Sequence, residues 1–254
     1  MVERLNMVRD KWNNFAVRFT ETANKRMTLQ CSRHLHSHMQ LDRARNILEV
    51  AAGAGLGSLD VVQYLLDAEK NLNGSSTEYV EIKCKEANCQ ELVEVATESI
   101  DRYIASLCLQ LTPDPDALLR EASRVLTPDG IAGFTIWGSP DRSGHFVITS
   151  AANKELGFEE NSHEHTNFIM GKDLIALRRR FDAAGFKCVQ IWPFQCVVEL
   201  WSAEEFAKFQ EDTYPLDDQE LNAKRFAIVK RMASEWLAEG KPIGLETYLI
   251  LARK

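Results

Sequence analysis

Apolar residues along this chain fall into alternating strand-like and helix-like stretches, which is the pattern of an α/β fold. Residues 47–51 form a nearly continuous apolar run that predicts a buried parallel strand. Residues 131–137 and 245–251 predict further strands, while 115–126 and 221–239 have the periodicity of helices. Helical spacing also runs through residues 1–41, so we expect a helical cap before the sheet.

A glycine-rich turn, Gly53-Ala54-Gly55-Leu56-Gly57, follows the first strand. Glycines permit a tight turn and let a ligand approach the backbone closely, and the next helix presents unpaired N–H groups to it. The dinucleotide fingerprint would need a glycine at Ser58. A rival pattern has an acid two residues before the first of its glycine positions. Glu49 matches the acid, and Ala51 stands at that first glycine position. A tight turn without any ligand is the structural alternative.

The rival pattern resembles motif I of class I S-adenosylmethionine (SAM)-dependent methyltransferases. Residues 87–92 (Ala-Asn-Cys-Gln-Glu-Leu) resemble the adenine loop of that family, and residues 106–115 with 124–130 resemble the region beyond its fourth strand. The resemblance covers about residues 12–137. It is strongest to the small-molecule branch related to ubiquinone and menaquinone methyltransferases.

This resemblance implies a Rossmann-like, mostly parallel sheet with an antiparallel last strand, SAM as cofactor and a small-molecule methyl acceptor. We expect one domain over 1–254, with the helical cap at 1–41, a SAM-binding core at 42–137, and substrate-side and closing elements at 138–254. The residues that match cofactor-binding positions are Glu49, Ala51, Gly53, Ala54, Gly55, Asn88, Cys89 and Ser106.

The resemblance breaks between Gly57 and Asn88, where the family has a helix, a strand, a second helix and a third strand. This chain has room for one helix and one strand, and the alternating stretch Thr77–Cys84 matches the third strand. We therefore expect the second strand and its helix to be missing, together with the acid that binds the ribose. Glu78 and Glu81 are the nearest acids. A methyltransferase-like protein that has lost turnover and works as a binding or scaffold module is thus an alternative, and an NAD-linked oxidoreductase is a third, disfavoured one.

Methyl transfer is an in-line displacement that needs a base only when the acceptor must lose a proton first. His145, His163 and His165 lie beyond the predicted fifth strand and are the candidate bases, although solvated loop histidines are the simpler interpretation. The run His34-x-His36-x-His38 lacks further metal ligands at a suitable spacing, so we expect no metal site and assign these residues to the surface or a lid.

Composition and charge limit the classes of partner that the protein could bind. A net charge of -7 and a pI near 5.5 disfavour a nucleic-acid surface, and no apolar stretch is long enough for a membrane span. Six cysteines without a C-x-x-C pair predict reduced, mostly buried thiols. With no apolar signal core at the N-terminus, the cytoplasm is the expected location. The oligomeric state is left open.

Overall fold

A computed structural model describes residues 2–73, 81–158 and 165–254 of the chain. The cap consists of α1 (Val2–Phe19), a π-helical stretch (Thr20–Thr28) and α2 (Leu29–His36). It confirms the helical content predicted before the sheet. The later helices are α3 (Leu56–Asn73), α4 (Pro115–Val125), α5 (Gly144–Glu155), α6 (Leu174–Ala183), α7 (Ala203–Thr213) and α8 (Gln219–Ala238).

Five strands in the described part of the chain form one sheet. They are β1 (Ile47–Glu49), β2 (Ile100–Ser106), β3 (Leu126–Trp137), β4 (Cys188–Glu199) and β5 (Ile243–Arg253), in the order β1-β2-β3-β5-β4. The first three strands pair in parallel, and β5 pairs antiparallel with both β3 and β4. Four strands therefore share one direction and the last one opposes them, as predicted.

Helices cover both faces of the sheet because successive side chains of a strand point to opposite faces. Ile104 of β2 packs in a cluster with Leu35 and Met39, around α2. Its neighbours Tyr103 and Ala105 pack on the other face, in the cluster that α4 and α6 cover. A third cluster lies among α5, α7, α8 and the ends of β3 and β5. The central strands are thereby buried on both sides.

Helix ends follow the chemistry expected from the sequence. The Asp114 side chain accepts a hydrogen bond from the Ala117 amide and caps α4, whose first residue is Pro115. Asp173 caps α6 in the same way, and the helix ends before Gly185, which has φ +94°. The cap at Asp114 confirms the helix predicted over 115–126.

The strand predicted at Thr77–Cys84 is wrong over the part that the structure describes. Residues 81–88 have no regular structure and lie exposed outside the sheet, while 77–80 lie outside the described residues. In a doubly wound sheet of order 3-2-1-4-5, the third strand pairs with the second. The described residues contain no second strand, so alternation alone gives this segment no partner to pair with.

Candidate cofactor-binding site

The glycine turn lies at the carboxyl end of β1, and we call the open space beside Gly53 and Gly55 the hollow. Ala51, Gly53 and Gly55 have φ values of +54°, +57° and +80°. These values lie in the left-handed region, which only glycine adopts easily. A Cβ placed on Gly53 or Gly55 would meet no atom within 4 Å. The turn closes with a 2.9 Å hydrogen bond from the Gly55 amide to the Ala52 carbonyl, and α3 begins at the next residue. The hollow therefore has room for a ligand against the backbone.

Gly57 has a different role from the other two glycines. A Cβ on Gly57 would lie 2.5 Å from Glu49 Oε1. Glu49 is the last residue of β1, and its carboxylate accepts a short hydrogen bond from the Ser58 hydroxyl. Burial raises the pKa of Glu49, an effect that the Ser58 hydrogen bond and nearby His36 oppose. The third glycine thus leaves space for the motif acid at the start of α3.

The predicted adenine loop is a fixed turn rather than a strand end. Asn88 Oδ1 accepts hydrogen bonds from the backbone amide and the side chain of Gln90, at 3.1 Å and 3.2 Å. The Gln90 side chain in turn accepts from the Asp114 amide at 2.6 Å, which ties the loop to the start of α4. Cys89 is half-buried, and the neighbouring Cys108 thiol, just after β2, lowers the pKa of Cys89. The loop therefore sits at the carboxyl edge of the sheet.

Ser106, the last residue of β2, connects the sheet edge to the cap. Its hydroxyl lies 3.0 Å from the Thr135 hydroxyl and accepts from Ser32 of α2 at 3.2 Å. Thr135 also accepts from the Leu107 amide at 2.8 Å, and Leu107 has φ +50°. These contacts bring α2 to the same edge of the sheet as the glycine turn.

Sequence reasoning missed the role of His36. This side chain is fully buried, and its Nδ1 lies 2.9 Å from Asp60 Oδ2 on α3. Arg33 donates to the other oxygen of Asp60 at 2.9 Å. The histidines of this run have different partners, because the His34 ring stacks on Phe194 and not on Asp60. The expectation of surface or lid histidines was therefore wrong for His36, because its position on α2 faces α3.

The three candidate bases are in very different places. His145 is fully buried at the start of α5, and burial lowers its pKa to about 3. Its ring contacts Phe146 and Phe206, which places it in the core among α5 and α7. His165 is exposed and stacks on Trp137, with ring centres 4.8 Å apart, at the carboxyl end of β3. His163 lies outside the described residues.

Two observations bear on a ligand. Gln110, in the turn after β2, has both side-chain polar atoms buried with no hydrogen-bond partner in the described structure. Such atoms are normally satisfied by protein, water or ligand. The second is the empty Cβ space at Gly53 and Gly55. Together they fit a cofactor that presents an amino acid to the backbone turn and polar atoms to the sheet edge.

The described residues provide no clear candidate for the acid that would bind the ribose of SAM. Of the two acids nearest to it in sequence, Glu81 is exposed and pairs with Lys83 at 3.2 Å. Glu78 lies outside the described residues. No described strand pairs with the free edge of β1. Within residues 2–73, 81–158 and 165–254 no strand corresponds to the family's second strand.

The sheet order and the helices on both faces define a Rossmann-like fold, with the glycine turn at the carboxyl edge of its sheet. Residues 43–134 match the methyltransferase domain family, which includes the glycine turn, the adenine loop and most of β3. Over these residues the chain is similar to methyltransferase domains. The resemblance to SAM-dependent methyltransferases predicted from the motifs is confirmed for this part of the chain.

Two relatives match the chain by sequence, and two solved structures match it by fold. The chain is 24% identical to a ubiquinone biosynthesis O-methyltransferase of Bordetella avium, over 62% of this chain and 70% of the relative. A protein of the same name from Neisseria meningitidis is 22% identical over 70% and 79%. In fold, a SAM-dependent methyltransferase from Archaeoglobus fulgidus aligns with a TM-score of 0.50 at 14% identity, covering 89% of this chain and 93% of that one. A structure assigned to a methyltransferase of an antibiotic biosynthesis pathway in Anabaena variabilis gives 0.59 at 12% identity, with 87% and 96% covered.

None of the helices that the structure describes is long and apolar enough to cross a membrane. No cluster of three or more metal-binding side chains occurs within residues 2–73, 81–158 and 165–254.

Proposed function

We propose that this protein binds SAM at the carboxyl edge of β1 and β2 and transfers its methyl group to a small-molecule acceptor. The observation that carries the proposal is the hollow at Gly53 and Gly55, where no atom occupies the space of a side chain. An amino acid can lie there against backbone amides, and Glu49 is held nearby on the Ser58 hydroxyl. Glu49, Ala51, Gly53, Ala54 and Gly55 would surround its methionine end.

At the other end, Asn88 and Cys89 would meet the adenine, and Ser106 would lie between the two ends of the cofactor. The anchoring of this loop supports that role, since Gln90 ties it to α4. A turn that is already ordered before binding loses little conformational freedom when the ligand arrives.

SAM supplies an activated methyl group on a sulfonium, so the protein must mainly hold the acceptor in line with it. The cap supports this by closing the site, because Ser32 and His36 fasten α2 to β2 and α3. Two relatives are named ubiquinone biosynthesis O-methyltransferases, which favours an oxygen acceptor on a small molecule. Of the two candidate histidines that the structure describes, the exposed His165 beside Trp137 is better placed than the buried His145 to accept a proton from a hydroxyl.

Isothermal titration tests the cofactor. We expect heat with SAM and none with NADH, because an NAD site would need the dinucleotide turn that Ser58 interrupts. Heat with NADH alone would overturn the proposal. SAM binding without methyl transfer to any of a panel of small hydroxylated aromatics, followed as S-adenosylhomocysteine release, would favour the binding-only alternative.

A pair of matched variants tests the hollow. Asparagine adopts positive φ more readily than other non-glycine residues, so Gly53→Asn keeps the backbone while its side chain enters the hollow. Gly240→Asn is the control, because Gly240 also has positive φ (+74°) and an empty Cβ position. We expect SAM affinity to fall at least about tenfold in the first variant only, which corresponds to about 1.4 kcal/mol. Equal affinities in folded variants would contradict the assignment.

A further inference from the structure

Two cysteines that are 165 positions apart meet in the interior. Cys31 of α2 and Cys196 of β4 have their sulfur atoms 2.8 Å apart, and both side chains are fully buried. This separation is well inside an ordinary contact between two non-bonded sulfurs. A disulfide has an S–S length of about 2.05 Å, so the two atoms need to close by only about 0.8 Å.

The surroundings of the pair are apolar apart from one hydroxyl. Both thiols lie in the cluster formed by α5, α7, α8 and the cap, and Thr247 Oγ1 is 3.8 Å from Cys31. The contact with Cys31 and burial raise the pKa of the Cys196 thiol well above its usual range. Since the thiolate is the reactive form, exchange requires α2 to lift from β4.

We propose that Cys31 and Cys196 form a reversible disulfide that fastens the cap helix α2 to strand β4. The oxidant is a small disulfide such as oxidised glutathione. One cysteine thiolate attacks it, one glutathione leaves as a thiol, and the other stays as a mixed disulfide. The second cysteine then displaces that glutathione, so two protein thiols are oxidised to one S–S bond and one glutathione disulfide is reduced to two thiols.

The bond would reinforce contacts that already hold the cap. Gln30, next to Cys31, donates to the Val197 carbonyl at 2.7 Å and accepts from its amide at 3.0 Å. Arg26 pairs with Glu199 at 2.9 Å. Ser32, on the other side of Cys31, reaches Ser106 at the cofactor edge. A bond at Cys31 therefore fixes the segment between these contacts.

The other cysteines provide internal comparisons. Cys89 and Cys108 also influence each other's pKa, but they lie in the predicted adenine loop and after β2, away from the cap. Cys84 and Cys188 are exposed. The double variant Cys84→Ser/Cys188→Ser removes these exposed thiols, which would otherwise exchange fastest, and leaves the other four cysteines in place.

The experiment uses the full chain in this double-variant background, equilibrated over a series of reduced-to-oxidised glutathione ratios. A second sample is refolded from urea in the same buffers, so that burial cannot keep the oxidant away. Thiols are blocked with N-ethylmaleimide under denaturing conditions, and the peptides are analysed by mass spectrometry. We expect linked peptides that contain Cys31 and Cys196, reversed by dithiothreitol.

The linked protein should also melt about 5–15 °C higher than the reduced one, because the bond restricts the unfolded chain. Cys196→Ala should abolish both the linked peptide and this rise. Complete labelling of Cys31 and Cys196 at the most oxidising ratio, in both samples, would overturn the proposal. A bond found only between Cys89 and Cys108 would do the same. Neither result depends on SAM binding.

Discussion

At the scale of single residues, the glycines of the turn show how one pattern serves two physical needs. Gly53 and Gly55 are required by backbone conformation, since both have positive φ and open space where a side chain would be. Gly57 is required by a neighbour, because the Glu49 carboxylate occupies the space beside it. Gly53, Gly55 and Gly57 are evenly spaced in the sequence, so only the structure separates the two open positions from the packed one.

The variant Gly57→Ala tests this distinction. Its methyl group would displace the Glu49 carboxylate from Ser58, and a hydrogen bond to a charged group contributes about 1.5–3 kcal/mol. Alanine recovers up to about 1 kcal/mol of helix propensity, so we expect a net loss of about 1 kcal/mol in the free energy of unfolding, measured in urea. In a Glu49→Ala background the same change should be neutral or stabilising. An equal cost in both backgrounds would show that the carboxylate is not the cause.

The buried His145 predicts a dependence of stability on pH. Its folded-state pKa of about 3 lies below the ordinary value of about 6.5, so between these values the unfolded chain binds a proton that the folded chain does not. Stability from this group is therefore complete above pH 6.5 and falls as the pH is lowered, by about 1 kcal/mol per pH unit. Urea titrations from pH 7 to pH 4.5 should show a shallower loss for His145→Asn than for the wild type. Parallel curves would contradict the prediction, whatever the variant's stability at pH 7.

At the scale of elements, the sequence predicted what local chemistry determines. The helix predicted over 115–126 is α4, which begins at the Asp114 cap, because capping is a local interaction. The apolar run at 47–51 contains β1, but the strand is only Ile47–Glu49, which is half-buried and lies at the edge of the described sheet rather than being covered on both faces. The segment Thr77–Cys84 was misassigned because alternation predicts a strand only where a partner exists. The contacts of the cap could not be predicted, because pairs such as Ser32 with Ser106 join residues that are distant in the chain.

The open edge of β1 predicts weak recognition of the ribose. No described strand lies beside β1 to carry an acid there, and Glu81 is exposed. We expect S-adenosylhomocysteine and its 2′,3′-dideoxy analogue to bind with affinities within about threefold of each other, since no charged hydrogen bond of about 1.5–3 kcal/mol is lost. Isothermal titration measures the ratio. A loss of tenfold or more would mean that an acid does reach the ribose, and Glu78→Gln and Glu81→Gln would then show which one.

At the scale of the whole molecule, the two central strands join all three hydrophobic clusters. From β3, Phe134 packs under α4 and α6, Ile131 under α2, and Trp137 against α5. The neighbouring strand β5 does the same through Ile250 and Leu249, with Leu245 in the third cluster. A helix layer cannot separate from the sheet without exposing residues of these strands. We therefore propose that residues 1–254 fold as one domain.

One domain of this kind should unfold in a single step, with far-ultraviolet circular dichroism and tryptophan fluorescence giving the same midpoint in urea. Phe134→Ala, at a fully buried position, should shift both midpoints together, because a cavity of this size costs about 3–5 kcal/mol wherever the unfolding begins. Ile175→Ala is the control, since Ile175 is exposed on α6 and its loss should change stability by no more than about 0.5 kcal/mol. If fluorescence changed at a lower urea concentration while most of the helical signal persisted, the layer of α5, α7 and α8 would be a separate folding unit. The shared strands make that outcome physically costly, because Trp137 and Leu245 would lose the helices that bury them.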